Sequence, residues 1–255
     1  MIVNGKQIAE GVYARLPREA LKLGIIVGEK NPVIDSFVAI KGKAAKKLGI
    51  ELVRVELLQG VTTNDAVSAV RLLAEKTDGI IVQLPLPASM DVEVVLSAIP
   101  PGKDVDGISP APLVRPPVAE AVAEILITCE IDPKGLTAVV VGAGRLVGAP
   151  VAALLALLGA EVSVLTHGDS MDALKEADIV VLGAGQPGLV QPEHLKDGVV
   201  LIDAGTSETG GKLAGDADPA CADIASVFTP VPGGVGPIAV AMIFKNLFKL
   251  AEKSR

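Results

Sequence analysis

Val141-Gly-Ala-Gly-Arg-Leu-Val-Gly148 follows one apolar run, Leu136 to Val141, and opens another, Val147 to Leu158. A GxGxxxG turn between a strand and a helix permits a tight reversal. It also lets a pyrophosphate sit on the helix N-terminus, where unpaired N–H groups and the helix dipole favour an anion. A glycine turn that merely packs closely would read the same, so the context decides. Downstream come a strand from Glu161 to Leu165, a short helix, and strands from Ile179 to Leu182 and from Val199 to Ile202. That succession is a dinucleotide-binding arrangement, and it nominates Gly142, Ala143, Gly144, Arg145 and Gly148 as cofactor contacts. The second strand runs into Leu165-Thr166-His167-Gly168 with no carboxylate before Asp169. A carboxylate at that strand end would hold the ribose hydroxyls of NAD. Without one, Arg145 can reach the 2′-phosphate of NADP or stand as a solvated helix-start arginine.

Upstream, strand and helix alternate at the same spacing. Ile8, Val12 and Leu16 predict an amphipathic helix over residues 5–20, and Leu23 to Gly28 a buried strand. In a helix from Phe37 to Leu48, the positives at Lys41, Lys43, Lys46 and Lys47 leave Phe37, Ile40, Ala44 and Leu48 for the inner face. Glu51 to Leu57 reads as a strand, Asn64 to Lys76 as a capped helix and Gly79 to Gln83 as a strand. The expected fold class is α/β with parallel sheets and helices on both faces. From Pro85 to Pro117 the chain turns Pro-rich and loop-rich, and a helix from Val118 to Thr128 restarts the alternation. The boundary falls near Pro116 and Pro117. This divides the chain into an N-terminal α/β catalytic domain, residues 1–116 plus 237–255, and a Rossmann-type dinucleotide-binding domain, residues 117–236.

At 255 residues the chain is long enough for two domains of ordinary size. Its apolar runs are broken by Gly, Pro or charge well before the ~18 residues a membrane span needs. Met1-Ile-Val-Asn-Gly-Lys-Gln7 lacks the basic stretch and apolar run of a secretory signal, so a cytoplasmic protein is expected. Cys129 and Cys221 stand far apart and read as buried thiols. With only His167 and His194 besides, no metal site and no Ser/His/Asp triad is expected. A formal charge of −7, no basic block and five aromatics argue against nucleic-acid binding.

Thr229-Pro-Val-Pro-Gly-Gly-Val-Gly-Pro237 has more Gly and Pro than a plain strand-to-helix connection needs, and it precedes the apolar run Ile238 to Leu250. Lys41, Gln83 and Asp106 sit where strands or loops of the first domain should end. Taken singly they read as a solvated lysine, a strand-end cap and a turn aspartate before Gly107. Gly5-Lys6, Lys41, Gln83-Leu-Pro-Leu-Pro87, Lys103-Asp-Val-Asp-Gly107, the glycine turn and the 229–237 stretch, in that order, give nearly the whole chain a pattern. It resembles the bifunctional methylenetetrahydrofolate dehydrogenase/methenyltetrahydrofolate cyclohydrolase family, often called FolD.

The resemblance implies a homodimeric enzyme of one-carbon metabolism serving purine biosynthesis, with one cleft between two domains and two successive reactions in it. Methylenetetrahydrofolate gives up a hydride to NADP, or alternatively NAD, and the methenyl product is hydrolysed to 10-formyltetrahydrofolate. It implies that Lys41 is the catalytic lysine, Gln83 its hydrogen-bonding partner and Asp106 the carboxylate that holds the pterin N–H groups. Phe37, Gly233, Gly234 and Pro237 would lie against substrate, and His167 and Thr206 against the cofactor. The chain departs from the family pattern at several points. Phe37 replaces a tyrosine and Ile34 a serine, and the segment from Gly28 to Phe37 is one residue longer. Val114-Arg-Pro-Pro117 replaces PCTP, and Gly144 and Gly168 replace serines. A lost hydroxyl at position 37 bears on the hydrolytic step, and the two lost serines bear on phosphate contacts. Two alternatives stand beside it. A shikimate dehydrogenase-like reductase shares a glycine turn and a first-domain lysine but does not account for the stretches at 83–87, 103–107 and 229–237 together. A family member that binds folate or nucleotide without turnover is suggested by the changes at Phe37, Gly144 and Gly168, and the retention of Lys41, Gln83 and Asp106 argues against it.

Overall fold

The computed structural model describes residues 1–29, 32–58, 60–209 and 212–253. In chain order its elements are α1 (Gly5–Ala14), β1 (Lys22–Val27), α2 (Pro32–Leu48), β2 (Glu51–Glu56), α3 (Thr63–Lys76), β3 (Gly79–Gln83), α4 (Val92–Ser97), α5 (Pro117–Thr128), β4 (Thr137–Val141), α6 (Gly148–Leu157), β5 (Glu161–Leu165), β6 (Ile179–Leu182), β7 (Val200–Asp203), β8 (Ser207–Thr209), β9 (Lys212–Ala214), β10 (Val227–Phe228) and α7 (Val235–Lys253), with short 3₁₀ turns between some of them. They form two compact units. The first is Val12–Pro117 with Val240–Arg255, and the second is Met1–Gly11 with Val118–Ala239.

The first unit is built on a parallel sheet of order β2-β1-β3. Alternate residues of a strand face opposite sides, and here both sides are buried. Leu23, Ile25, Val27 and Ile81 pack with Ile34, Val38 and Ala45 of α2 and with Phe244, Leu247 and Leu250 of α7. Ile26, Ile80 and Val82 face the other way, onto Val70 and Leu73 of α3 and Val95 and Leu96 of α4. α3 begins in a capping box in which the Thr62 hydroxyl accepts from the Asp65 N–H and the Asp65 carboxylate accepts from the Thr62 N–H. The second unit holds a five-stranded parallel sheet of order β10-β7-β6-β4-β5, with α6 on β4, β5 and β6. Its other face buries Val139, Val141, Val180, Leu182 and Leu201 with Leu174, Val190 and Leu195.

Several elements differ from the sequence reading. The helix expected over residues 5–20 stops at Ala14, because Pro17 disfavours helical backbone at the residue before it. The Pro-rich stretch contains α4, whose Asp91 cap accepts from the Val94 N–H. The helix expected from Ile238 starts three residues earlier, at Val235, so Pro237 lies in its first turn, where a missing N–H costs nothing. Residues 1–11, assigned above to the catalytic domain, group with the second unit. The Met1 carbonyl accepts from the Phe228 N–H (2.9 Å), the Val3 N–H donates to Phe228 (2.8 Å) and the Gly5 N–H donates to Gly233 (2.9 Å). Ser254 and Arg255, and Lys30 and Asn31 in the Gly28–Phe37 segment, lie outside the described residues. Cys221 is buried as expected, whereas Cys129 is only half-buried.

Candidate functional site

α2 turns Ile34, Val38 and Ala45 into the core, with half-buried Leu48 behind them. Those positions are spaced by helical turns, and Lys41 falls on the same stripe, three residues after Val38 and four before Ala45. The inner face named from sequence was therefore rotated: Ala44 and Leu48 belong to it, but Ile40 is exposed at 45%. The error came from assigning every lysine of the helix to solvent. Half-buried Phe37 precedes Lys41 by one turn.

The Lys41 ammonium nitrogen donates to Gln83 Oε1 at 2.6 Å. Gln83 ends β3, and its Nε2 donates to the Leu84 carbonyl at 2.9 Å, which fixes the amide so that its oxygen faces the lysine. Burial lowers the Lys41 pKa, with the Asp106 charge acting against it. Asp106 is pushed up to about 6, chiefly by burial; Lys41 pulls it down and Asp104 adds to the rise. A lysine shifted toward neutrality and a carboxylate shifted toward protonation, within each other's field, are the combination expected of groups that handle protons.

The loop holding Asp106 is fixed at several points. Lys103 donates to the carbonyls of Ala74 (2.6 Å) and Thr77 (2.5 Å) at the end of α3. Fully buried Asp104 accepts from the Ser109 N–H at 2.7 Å, and its backbone bridges to Ile80 of β3. Gly107 has φ +62°, and a Cβ there would meet the Val114 carbonyl at 2.7 Å. Asn246 of α7, 3% exposed, donates to the carbonyls of Val105 and Arg115, both at 2.9 Å. The Asp106 loop and the Val114-Arg-Pro-Pro117 stretch thus share one amide. Sequence reading missed Asn246, since one polar residue on an apolar helix ordinarily faces water.

In the second unit the glycine turn joins β4 to α6. Gly142 has φ +99°, and a Cβ on it would meet the Gly183 carbonyl at 2.6 Å. A Cβ on Gly148 would fall onto the carbonyl of Gly142 itself. Gly144 has nothing within 4 Å of its Cβ position, so the missing serine is a chemical change and not a packing requirement. Ala143, Gly144 and Arg145 are exposed. Val147, at the N-cap of α6, makes no side-chain hydrogen bond to the first turn. The Ala149 N–H donates to the Gly144 carbonyl at 3.1 Å and residue 150 is proline, so the Gly148 N–H is the first-turn donor that a pyrophosphate would meet.

His167 is exposed and Gly168 has φ +92° beside it. The Asp169 carboxylate accepts from the Thr166 N–H (2.7 Å) and hydroxyl (2.8 Å), which lower its pKa. The first carboxylate after β5 is thus engaged in its own turn. Thr206 is exposed just beyond β7.

In the Thr229–Pro237 stretch, Gly233 has φ +112° with open space at its Cβ position. Gly234 is crowded by its own loop, Thr229 Cβ at 2.7 Å and the Pro230 carbonyl at 2.8 Å. A flat ligand can therefore approach the backbone at Gly233, while Gly234 is glycine for the loop's own sake. A Cβ on Gly5 would fall onto the Gly234 carbonyl, which explains the N-terminal glycine. Among the described residues there is no cluster of three or more His, Cys, Asp or Glu that could hold a metal.

Comparison with known proteins accounts for both units. Residues 3–106 match the family described as tetrahydrofolate dehydrogenase/cyclohydrolase, catalytic domain, and residues 116–255 match the NAD(P)-binding domain of the same description. The chain is 38% identical to a bifunctional protein FolD of Staphylococcus aureus, over 100% of this chain and 97% of that protein. It is similar to the methylenetetrahydrofolate dehydrogenase-cyclohydrolase of Trypanosoma brucei, solved with NADP and an inhibitor, at 34% identity and a TM-score of 0.92, covering 100% and 98% of the two chains. It is also similar to the corresponding enzyme of Campylobacter jejuni, at 30% identity and a TM-score of 0.91, covering 100% and 99%. With a lysine–glutamine contact in one unit, a glycine turn between β4 and α6 in the other and both family domains matched, the chain belongs to the tetrahydrofolate dehydrogenase/cyclohydrolase family.

Proposed function

We propose that this protein oxidises 5,10-methylenetetrahydrofolate to the methenyl compound with NADP and hydrolyses that product to 10-formyltetrahydrofolate. The observation on which this rests most heavily is the 2.6 Å contact between Lys41 and Gln83, beside a carboxylate raised to about 6. The domain reading is that residues 1–116 with 237–255 hold folate and that residues 117–236 hold the dinucleotide. Asp106 accepts the adjacent N–H donors of the pterin, and Phe37 offers it an aromatic face. Lys41, neutral for part of the time, takes a proton from the water that adds to the methenyl carbon and returns it to N5 as the carbon–N5 bond breaks, the hydroxyl proton of the adduct leaving to solvent as the formyl C=O forms. Gln83 holds the lysine amine in place for both transfers. Gly233, Gly234 and Pro237 shape backbone beside the substrate.

When bound, NADP supplies the hydride acceptor. Gly142, Ala143, Gly144 and Gly148 would leave room for its pyrophosphate at the start of α6. Arg145 and His167 lie at the turn and the strand end where a 2′-phosphate would be expected, and Thr206 lies beyond β7. NADP is preferred to NAD because Asp169 is engaged by Thr166 and does not offer itself to a ribose. A homodimer is supported by β5, an edge strand with exposed Val164 and, on the neighbouring α6, exposed Leu157. A cytoplasmic enzyme supplying one-carbon units for purine biosynthesis is the role that fits these reactions. No helix of the described residues is long and apolar enough to cross a membrane.

Two absorbance assays on the purified protein test the reading. One follows methylenetetrahydrofolate with NADP or NAD, and the other follows decay of methenyltetrahydrofolate above its spontaneous rate. Both activities, with NADP the faster cofactor, are expected. Dehydrogenase activity alone would trace the loss of hydrolysis to Phe37, and silence in both from a folded protein would leave binding without turnover.

A further inference from the structure

The segment after β6, Gly183-Ala-Gly-Gln-Pro-Gly188, lies against the glycine turn. The Gly183 N–H donates to the Val141 carbonyl at 2.8 Å, a Cβ on Gly142 would meet the Gly183 carbonyl, and a Cβ on Gly183 would run into the Val147 side chain. In a parallel α/β sheet the ends of adjacent strands form the wall of the ligand crevice. This segment therefore shapes the wall beside the pyrophosphate turn.

Its own conformation is imposed from a distance in sequence. Asp216, fully buried, accepts from three successive backbone N–H groups: Ala184 (2.7 Å) and Gly185 (3.0 Å) on Oδ2, and Gln186 (2.7 Å) on Oδ1. Backbone bonds extend the contact, from the Gly188 N–H to the Gly215 carbonyl (3.1 Å) and from the Val190 N–H to the Asp216 carbonyl (2.9 Å). The same carboxylate fills the space over Gly205, where a Cβ would fall onto it, one residue before Thr206. A second buried carboxylate, Asp203 at the end of β7, accepts from the Gly205 and Ala217 N–H groups at 2.9 Å each, and a Cβ on Gly215 would fall onto it. Burial chiefly raises Asp203 to about 6, and the charge of Asp216 adds to the rise. The two carboxylates thus hold the strand ends after β6 and β7. A loop that needed only to be closed could be pinned by its own backbone. Burying two acids side by side is an expensive way to do it unless the loop shape itself matters.

We propose that Asp216 is a positioning residue of the dinucleotide site: by gathering the N–H groups of Ala184, Gly185 and Gln186 it sets the shape of the wall beside the glycine turn and beneath Thr206, and so sets the affinity for dinucleotide without acting on folate hydrolysis. This rests on the dinucleotide reading of the second unit. Ser207 adds a smaller anchor from the surface, its hydroxyl donating to the Gly185 carbonyl at 2.7 Å.

Asp216→Asn keeps the shape of the side chain but turns a donor toward at least one of the three N–H groups. Its KM for NADP should rise about tenfold, the loss expected for one buried charged hydrogen bond, with dehydrogenase kcat changed less and cyclohydrolase kcat within roughly twofold of wild type. Ser207→Ala, which alters nothing buried, should raise the same KM by roughly two- to threefold. A purely structural role predicts instead a lower melting temperature with the NADP KM unchanged, and that result overturns the inference. If Asp216→Asn does not fold, Ser207→Ala decides alone, an unchanged NADP KM counting against the positioning role. Calorimetric titration of the wild type with NADP separates the two levels. Wild type that does not bind NADP removes the dinucleotide reading and this inference with it. Wild type that binds, alongside variants that bind equally well, removes the inference only.

Discussion

In the first unit, the groups that would meet folate are side chains held away from their ordinary ionisation: Lys41 lowered by burial and fixed on Gln83, and Asp106 raised to about 6. In the second, the groups that would meet the dinucleotide are mostly backbone, namely Gly142 at φ +99°, Gly148 packed on the Gly142 carbonyl and an α6 start with no side-chain cap. The contrast follows the chemistry. Moving protons at a carbon centre needs groups that titrate in the working range, whereas accepting a hydride from an aligned carbon needs mainly position. Evolutionary change should therefore damage the two activities by different routes, through charge in one unit and through shape in the other.

Exchanging Lys41 for methionine should have the largest effect. Removing the lysine proposed to take and return the proton should lower cyclohydrolase kcat by about 10³-fold, while dehydrogenase kcat falls by less than about tenfold. Equal losses in both assays would erase the contrast. Gly148→Val attacks the other side. Its Cβ would fall onto the Gly142 carbonyl, so the turn must open, and the NADP KM should rise by roughly 100-fold. Hydrolysis of methenyltetrahydrofolate should persist in a sample whose circular dichroism matches wild type.

Smaller effects sharpen the picture within the first unit. Asn246→Ala removes a buried donor to the carbonyls of Val105 and Arg115 and should cost about 1–3 kcal/mol in denaturant unfolding. By loosening the Asp106 loop it should raise the KM for folate by roughly tenfold and leave the KM for NADP alone. The smallest effect lies in pH dependence. Asp106 is raised in the folded state, so its contribution to stability is complete at acidic pH and is lost as pH rises through about 6. Asp106→Asn lacks that loss. Its melting temperature relative to wild type should climb between pH 4 and 7.5 by on the order of 3 °C, even though folate binding is lost. A difference that stayed flat with pH would mean that Asp106 is not held against its charge.

Much of this was legible in the sequence wherever local pattern and global role agree. Gly79–Gln83 and Ile179–Leu182 read directly as strands, because each is a short apolar run ending where a buried parallel strand must meet a loop, and Glu161–Leu165 reads as one from its place in the strand–helix alternation although it is an exposed edge. The glycine turn was legible because only glycine tolerates both the φ of Gly142 and the approach at Gly148. What escaped depends on partners distant in sequence. Asn246 and Asp216 look like solvated polar residues until the backbone groups they serve, more than 100 and about 30 residues away, are folded onto them. β10 is two residues long, and its pairing with residues 1–3 leaves no periodicity to detect. Lys41 is singled out by resemblance to a family, but its place on the apolar stripe of α2 does not follow from the sequence, where a charged residue reads as exposed.

The most direct test of the central contrast is a pair of kcat–pH profiles taken on one wild-type sample. The account predicts that cyclohydrolase kcat, corrected for spontaneous hydrolysis, rises with pH and levels off below the range where an ordinary lysine titrates, about 10.4, while dehydrogenase kcat changes little over the same range. A single shared profile, or a hydrolytic rate indifferent to pH, would contradict a titrating Lys41 at the folate site.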